Sequence, residues 1–197
     1  MTAKKPLLIL ALLLFFGLTS GSALAAPPDG LTIRYFGPDD NVRRALDLIP
    51  EAAFVERLDA AQVVVINGAS LTEDEAEAIG QAVNEGQGMV LLLGPQLTVP
   101  ALQAILGSDV TWEERTGAQT VQGVPGLDDS LIAQVTWNSA PQVRERSMLT
   151  GLDLEALVKT YETSETVLGR TKLGQGTAYV ITAWLSGENN PHFKDWP

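Results

Sequence analysis

Side chains able to carry covalent or acid–base chemistry are few in this 197-residue chain, and their types narrow what it can do. Cysteine is absent. That removes thiolate catalysis, disulfides, cysteine metal sites and lipid attachment through a cysteine. The single histidine, His192, stands in the last few residues, and one imidazole cannot build the usual histidine-rich transition-metal site. A serine nucleophile needs the G-x-S-x-G frame on a strand-to-helix turn. Ser70 follows Asn67-Gly68-Ala69 without that frame, and Ser139 stands in Trp137-Asn138-Ser139-Ala140-Pro141, so both read as turn or cap residues. Asp39-Asp40 and Asp128-Asp129 are carboxylate pairs of the kind hard cations accept, but adjacent acids in loops read first as helix caps and solvated turns. Glu73, Asp74, Glu75 and Glu77 mark a helix N-terminus, where the dipole favours negative charge.

Two further chemistries lack a motif. Glycoside hydrolysis needs two carboxylates facing each other across a cleft, which spacing along the chain neither selects nor excludes. Phosphate binding needs a glycine-rich loop opening a helix. Gly68-Ala69-Ser70 and Gly94-Pro95 lack that glycine density. No metal site and no cofactor is expected. Trp112, Trp137, Trp184 and Trp196 all lie in the second half. The first three fall in strand-like segments and read as packing residues, with Trp137 beside a turn that could carry it to a loop rim.

The elements that would position these residues centre on 58–95. Residues 63–66 are an unbroken β-branched run, the mark of a strand buried on both faces. Asn67-Gly68-Ala69-Ser70 is a turn. Thr72 and Glu75 have the spacing of a capping box, and Ala76, Ile79, Ala82 and Val83 form an apolar helical stripe. Gly86 stands where a left-handed C′ residue belongs. Residues 89–93 form a second all-apolar strand, stopped by Gly94-Pro95. Two buried strands joined by a capped helix predict a right-handed βαβ unit with a parallel pair.

Upstream, the alternating segment 31–36 is a strand, Gly37-Pro38-Asp39-Asp40 caps a helix over about 41–48, and 53–55 is a short strand. Downstream, Thr98 opens a short helix with Pro100 in its first turn, ended by Gly107. From residue 110 the segments become short, β-branched and turn-separated, at 110–115, 120–122, 131–137, 142–146, 160–162, 166–170 and 177–184. Residues 152–158 read as one or two helical turns or a loop. Hairpins are expected here, with 177–184 returning to the main sheet as a buried strand after the turn Lys172-Leu173-Gly174-Gln175-Gly176. The predicted class is therefore α/β, a flavodoxin-like three-layer open and mostly parallel sheet with added β-hairpins in the second half.

Composition sets the setting. A formal charge of −11 argues against nucleic acid as a partner, since phosphate binding needs clustered Lys and Arg. An apolar content of 45 % suits one domain with a real core. Residues 1–25 carry Lys4-Lys5, an apolar stretch over 7–18 and Ala23-Leu24-Ala25, the pattern of a secretory signal peptide rather than of a spanning helix, which needs ~20 apolar residues. The expected organisation is signal peptide 1–25, linker 26–30, α/β domain 31–186 and tail 187–197. The aromatic tail, with His192, Phe193 and Trp196, leads us to expect further sequence beyond residue 197, including a membrane anchor. Export places the protein in the periplasm, at the cell surface or outside the cell, with a protein or envelope component as partner.

The central unit and the last strand, VVVINGA, SLTEDEAEAIGQAVNEGQGMVLLLGP and GQGTAYVITAW, resemble the class I glutamine amidotransferase-like superfamily. The similarity is greatest to non-catalytic domains of exported or membrane-attached bacterial proteins and to the trimerisation-like domain of certain β-galactosidases. Where those families carry a glycine pair, this chain has Gly86-Gln87-Gly88. The resemblance implies a flavodoxin-like sheet with helices on both faces. It also implies that a working enzyme would carry its cysteine near Gly94-Pro95-Gln96, where this chain has no nucleophile, so glutamine hydrolysis through a thioester is excluded. The expected function is non-enzymatic binding or assembly in the cell envelope. The alternative is a carboxylate-dependent hydrolase acting on glycans or glycoconjugates. Ligands of open α/β sheets sit outside the carboxyl ends of the strands. The candidate rim is therefore Pro38, Asp39, Asn67, Ser70, Gly94 and Gln96.

Overall fold

A computed structural model describes residues 30–126 and 142–185. The signal segment, the tail, Asp128-Asp129, Trp137, Ser139, His192, Trp196 and the strand expected at 131–137 lie outside the described residues. Among the described residues the main sheet has eight strands: β1 (Leu31–Phe36), β2 (Ala52–Phe54), β3 (Val63–Asn67), β4 (Gly88–Leu92), β6 (Val121–Gly123), β8 (Glu155–Thr160), β9 (Thr166–Leu173) and β10 (Gly176–Ile181). A separate antiparallel ribbon pairs β5 (Thr111–Arg115) with β7 (Arg146–Thr150). Among the described residues the helices are α1 (Asn41–Asp47), α2 (Glu73–Asn84) and α3 (Val99–Leu106), and Leu58–Ala60 makes a 3-10 turn.

Strand order is β2-β1-β3-β4-β10-β9-β8-β6. The first five strands are parallel, and β9, β8 and β6 continue the sheet in antiparallel pairs. This is the expected mostly parallel open sheet with antiparallel strands added from the second half. The β3–α2–β4 unit is built as its residues require. Every residue of β3 and β4 is buried. Val64, Ile66, Met89 and Leu91 pack on one face with α2 and α3, and Val63, Val65, Val90 and Leu92 point to the other. Burying each such side chain contributes roughly 1.5–3 kcal/mol, which is why an unbroken apolar run settles in the middle of a sheet.

Thr72 accepts from the Glu75 amide while the Glu75 carboxylate accepts from the Thr72 amide, the reciprocal pair anticipated from their spacing. The buried stripe of α2 is Ala76, Ile79, Gly80 and Val83, with Ala82 only partly buried. Gly80 belongs to the stripe because α3 crosses there. A Cβ on it would sit 2.5 Å from the Ala104 carbonyl, so only glycine allows this helix–helix distance. Val42 and Leu46 anchor α1 on the opposite face.

The second half departs from the expected boundaries: β9 runs on to Leu173, β10 ends at Ile181, and three further differences have a physical reason. Residues 152–158, read as helical turns or loop, include the start of β8, whose Leu157 and Val158 are buried between β6 and β9. Register shifts between Ala156, Val158 and Lys159 break the period-2 pattern that would have marked the strand. Residues 161 and 162, expected in a strand, belong to the turn between β8 and β9, where Ser164 takes φ +58°. The strand expected at 142–146 instead starts at Arg146 and runs to Thr150, because its partner is β5 and its near end bridges Ala183. β10 lies parallel to β4, reached from β9 through Gly174-Gln175.

Candidate functional site

The chain winds outward from β1 in both directions. β2 lies on one side of β1 and β3 on the other. In an open α/β sheet the crevice at such a reversal, outside the carboxyl ends of the strands, is where a ligand finds room between diverging loops. The two loops here are Gly37–Asp40, leading from β1 to α1, and Gly68–Leu71, leading from β3 towards α2.

The crevice is bridged by the chain's own side chains. Asn67, the last residue of β3, is 8 % exposed, and its amide nitrogen donates to Tyr35 Oη at 3.0 Å and to Asp40 Oδ2 at 2.9 Å. Tyr35 Oη donates in turn to the Pro38 carbonyl at 2.9 Å. Asp40 is the N-cap of α1, and its Oδ1 accepts from the Val42 and Arg43 amides at 2.9 and 3.3 Å. Both Asp40 oxygens are thus engaged, in agreement with the capping role its position suggests. Burial pushes the Tyr35 phenol up to about 12, with Asp40 and Asp39 adding to the rise and the Asn67 hydrogen bond opposing it. A phenol held neutral in this way is a hydrogen-bonding strut rather than a proton acceptor near neutrality.

Close backbone packing supports the bridge. A Cβ on Gly37 would lie 2.9 Å from both Asn67 Cβ and Tyr35 Oη, and one on Gly94 would lie 2.9 Å from Gly68 Cα. Side chains at these positions would force the loops apart.

Outside the bridge lies a pocket of about 340 Å³ lined by Tyr35, Gly37, Pro38, Asp39, Arg43 and Asp47. Arg43 is held from three sides. Its Cζ stands 3.3 Å above the Phe54 ring and 5.4 Å from the Tyr35 ring, and its Nε is 3.5 Å from Asp47 Oδ1. Tyr35 and Phe54 meet edge to face at 6.4 Å. Asp39 is exposed and makes no hydrogen bond or ion pair among the described residues.

The expected rim residues therefore divide. Pro38 and Asp39 line the pocket, and Asn67 sits beneath it in the bridge. Gly94 is buried against Gly68. Ser70 and Gln96 are exposed and outside the pocket lining, and the hydroxyl that caps α2 is that of Thr72. Tyr35, Arg43, Asp47 and Phe54 were not among the expected site residues. The i,i+4 pair Arg43–Asp47 was a legible signal on a surface helix. Its approach to Phe54 depends on β2 pairing with β1, which no local pattern announces.

A second polar cluster lies at the same end of the sheet, beyond β10. Arg146 is 3 % exposed. It donates through Nε to Glu165 Oε2 at 2.6 Å and through Nη1 to the Gly117 carbonyl at 3.1 Å. Arg115 Nε stands 3.8 Å from Glu165 Oε1, and Arg115 also pairs with Glu113. Each carboxylate in this group already faces a guanidinium, so it ties the β5–β7 ribbon to the β8–β9 turn rather than presenting free charge. Trp112 and Trp184 meet edge to face at 6.0 Å, and Trp184 Nε1 donates to Ser147 Oγ at 2.8 Å. Both therefore pack as their strand-like setting suggested. Among the described residues, no group of three or more His, Asp or Glu side chains is arranged to hold a metal ion.

No family model and no curated protein matches the chain. Solved structures with a similar fold include the cytoplasmic protein STM1381 from Salmonella typhimurium LT2, with a TM-score of 0.63 and 11 % identity over 84 % of this chain and 94 % of that one. The exo-β-1,4-mannosidase Op5Man5 from Opitutaceae bacterium strain TAV5 matches with a TM-score of 0.54 and 12 % identity, over 79 % of this chain and 32 % of the enzyme. The β-galactosidase from Bacillus circulans sp. alkalophilus matches with 0.52 and 14 %, over 81 % of this chain and 29 % of the enzyme. The likeness is one of fold, and the chain spans about a third of either glycosidase.

Proposed function

We propose that this chain is a non-enzymatic binding or assembly domain of an exported or membrane-attached cell-envelope protein, built on the scaffold of the class I glutamine amidotransferase-like superfamily. One observation carries the reading. At the crevice where this type of sheet takes a ligand, Asn67, Tyr35 and Asp40 are committed to one another and to the backbone. They hold the loops in place, and among the described residues of this crevice none is a nucleophile paired with a base, the arrangement covalent catalysis uses. Export rests on the basic and apolar pattern of residues 1–25.

A second reading, a glycan hydrolase, has one observation in its favour. Asp39 and Asp47 are two carboxylates lining one pocket, the minimum that glycoside hydrolysis needs. Against it, Asp47 is already paired with Arg43. The fold also matches only a part of each glycosidase.

A panel of p-nitrophenyl glycosides separates the two. The binding reading expects no release of nitrophenol above buffer. Turnover that disappears in a folded Asp39→Asn/Asp47→Asn variant would replace it with the hydrolase. Asp40 is unsuitable for this test, since removing the cap of α1 would confuse lost activity with lost structure.

A further inference from the structure

We propose that the pocket beside Arg43 takes a neutral, hydroxyl-rich ligand, one or two sugar rings in size, held between the Arg43 guanidinium as donor and the Asp39 carboxylate as acceptor. This names the ligand class of the binding site proposed above and rests on that reading. The donor hydrogens behind the pocket are all committed. Asp40 accepts at both oxygens, Asn67 donates both of its amide hydrogens, and Tyr35 Oη both donates and accepts.

Three groups on the pocket wall, Arg43, Asp39 and Asp47, keep hydrogen-bonding capacity. Among the described residues, the terminal nitrogens of Arg43 donate no hydrogen bond, and Asp39 accepts none. The Arg43 side chain is 31 % exposed, so its donors reach solvent. Its guanidinium is held by Phe54, Tyr35 and Asp47, so a ligand would find the fork already ordered. Little side-chain entropy is then lost on binding.

Charge decides the class. An anion approaching Arg43 would meet Asp39 and Asp47 on the same wall with Asp40 behind. A cation approaching Asp39 would meet the Arg43 guanidinium, and the putrescine titration reads how far the neighbouring carboxylates offset it. A hydroxyl is both donor and acceptor, so a pair of neighbouring hydroxyls can accept from the guanidinium and donate to the carboxylate without adding charge. The volume of about 340 Å³ lies at the small end of ligand pockets, and Pro38 and Tyr35 supply apolar surface for the C–H face of a ring.

The test is an NMR titration of the ¹⁵N-labelled chain with D-galactose, D-mannose and lactose, with sulfate and putrescine as charged probes. The expected result is saturable shifts at the Gly37, Asp39 and Arg43 amides and at Arg43 Nε with at least one of the sugars. Arg43→Lys keeps the charge but loses the planar fork, and Asp39→Asn keeps the shape but loses the charge. Each should weaken binding about 10-fold or more, as loss of a hydrogen bond to a charged group implies. Asp39→Asn touches no packed group, so a loss of binding there cannot be attributed to unfolding. The proposal is overturned if no sugar shifts these resonances, if shifts fall elsewhere, if both variants bind as well as the parent, or if sulfate or putrescine fills the pocket while the sugars do not. Sugar binding accompanied by cleavage of lactose would uphold the ligand class and overturn the non-enzymatic reading on which it rests.

Discussion

Replacing Asn67 by Asp tests the bridge at the β1/β3 crevice with almost no change of shape. The native amide donates to Tyr35 Oη at 3.0 Å and to Asp40 Oδ2 at 2.9 Å, at a residue only 8 % exposed. An introduced carboxylate loses both donors and faces a second carboxylate. Losing one neutral and one charge-assisted hydrogen bond costs about 2–4 kcal/mol by the usual magnitudes, and Asn67→Ala should show the lower part of that range because the partly exposed Asp40 can recruit water. The like-charge contact adds to this. Two unit charges 4 Å apart repel by about 4 kcal/mol at an effective dielectric of 20.

Proton uptake limits that repulsion, since keeping a carboxyl neutral costs only ~1.4 kcal/mol for each pH unit above its unfolded value. Together these place Asn67→Asp about 3–5 kcal/mol below the parent at neutral pH. The sign of the pH dependence follows. The introduced carboxyl is raised in the folded state by burial and by Asp40, so its penalty is largest above the folded value and recedes as pH falls through it. The slope should approach ~1.4 kcal/mol per unit until the unfolded value is reached near 4. Urea unfolding of parent, Asn67→Ala and Asn67→Asp at pH 7 and pH 5 measures all of this. A variant Asn67→Asp as stable as the parent at pH 7, or a deficit that widens at pH 5, would refute the bridge as described.

Two further predictions concern the other strut and the second cluster. The tyrosinate absorbance of the parent should include one phenol titrating at about 12, absent in Tyr35→Phe. Because that value is raised, the parent should hold its stability up to about pH 10 and lose part of it between there and 12. A Tyr35→Phe titration superimposable on the parent's would be the contrary result. Arg146→Met leaves the mostly buried Glu165 carboxylate with only Arg115, 3.8 Å away, and should cost about 3 kcal/mol, of which adding Glu165→Leu recovers a large part. Equal stability of the single and double variants in urea would refute the uncompensated carboxylate as the source of the loss.

Much of the scaffold was legible because it is encoded locally. The apolar runs of β3 and β4, the Thr72–Glu75 box and the stripe of α2 involve residues within a turn or two of one another, so propensity, capping and burial can be read from spacing. β8 was obscured by the shift of register at Val158, which puts neighbouring apolar residues where alternation predicts one in and one out. The rim was located by the general geometry of parallel sheets. Its division was not legible, since Asn67, Asp39, Ser70 and Gln96 all read as polar loop-edge residues, and only packing separates a buried amide from an exposed one.

By itself the sequence determined an α/β chain with a central βαβ unit, an acidic character and no cysteine chemistry, because each of these follows from composition or from periodicity within one element. Tertiary structure alone decided that the winding reverses at β1, that Phe54 comes to lie under Arg43, and that Asn67 closes the crevice between Tyr35 and Asp40. These contacts join residues up to 32 apart in the chain. The entropy of closing such loops rises only slowly with their length, so sequence distance does not select which strands become neighbours. That selection belongs to the packing of the whole sheet, and with it came a pocket wall where the Arg43 guanidinium and the Asp39 carboxylate both keep hydrogen-bonding capacity free.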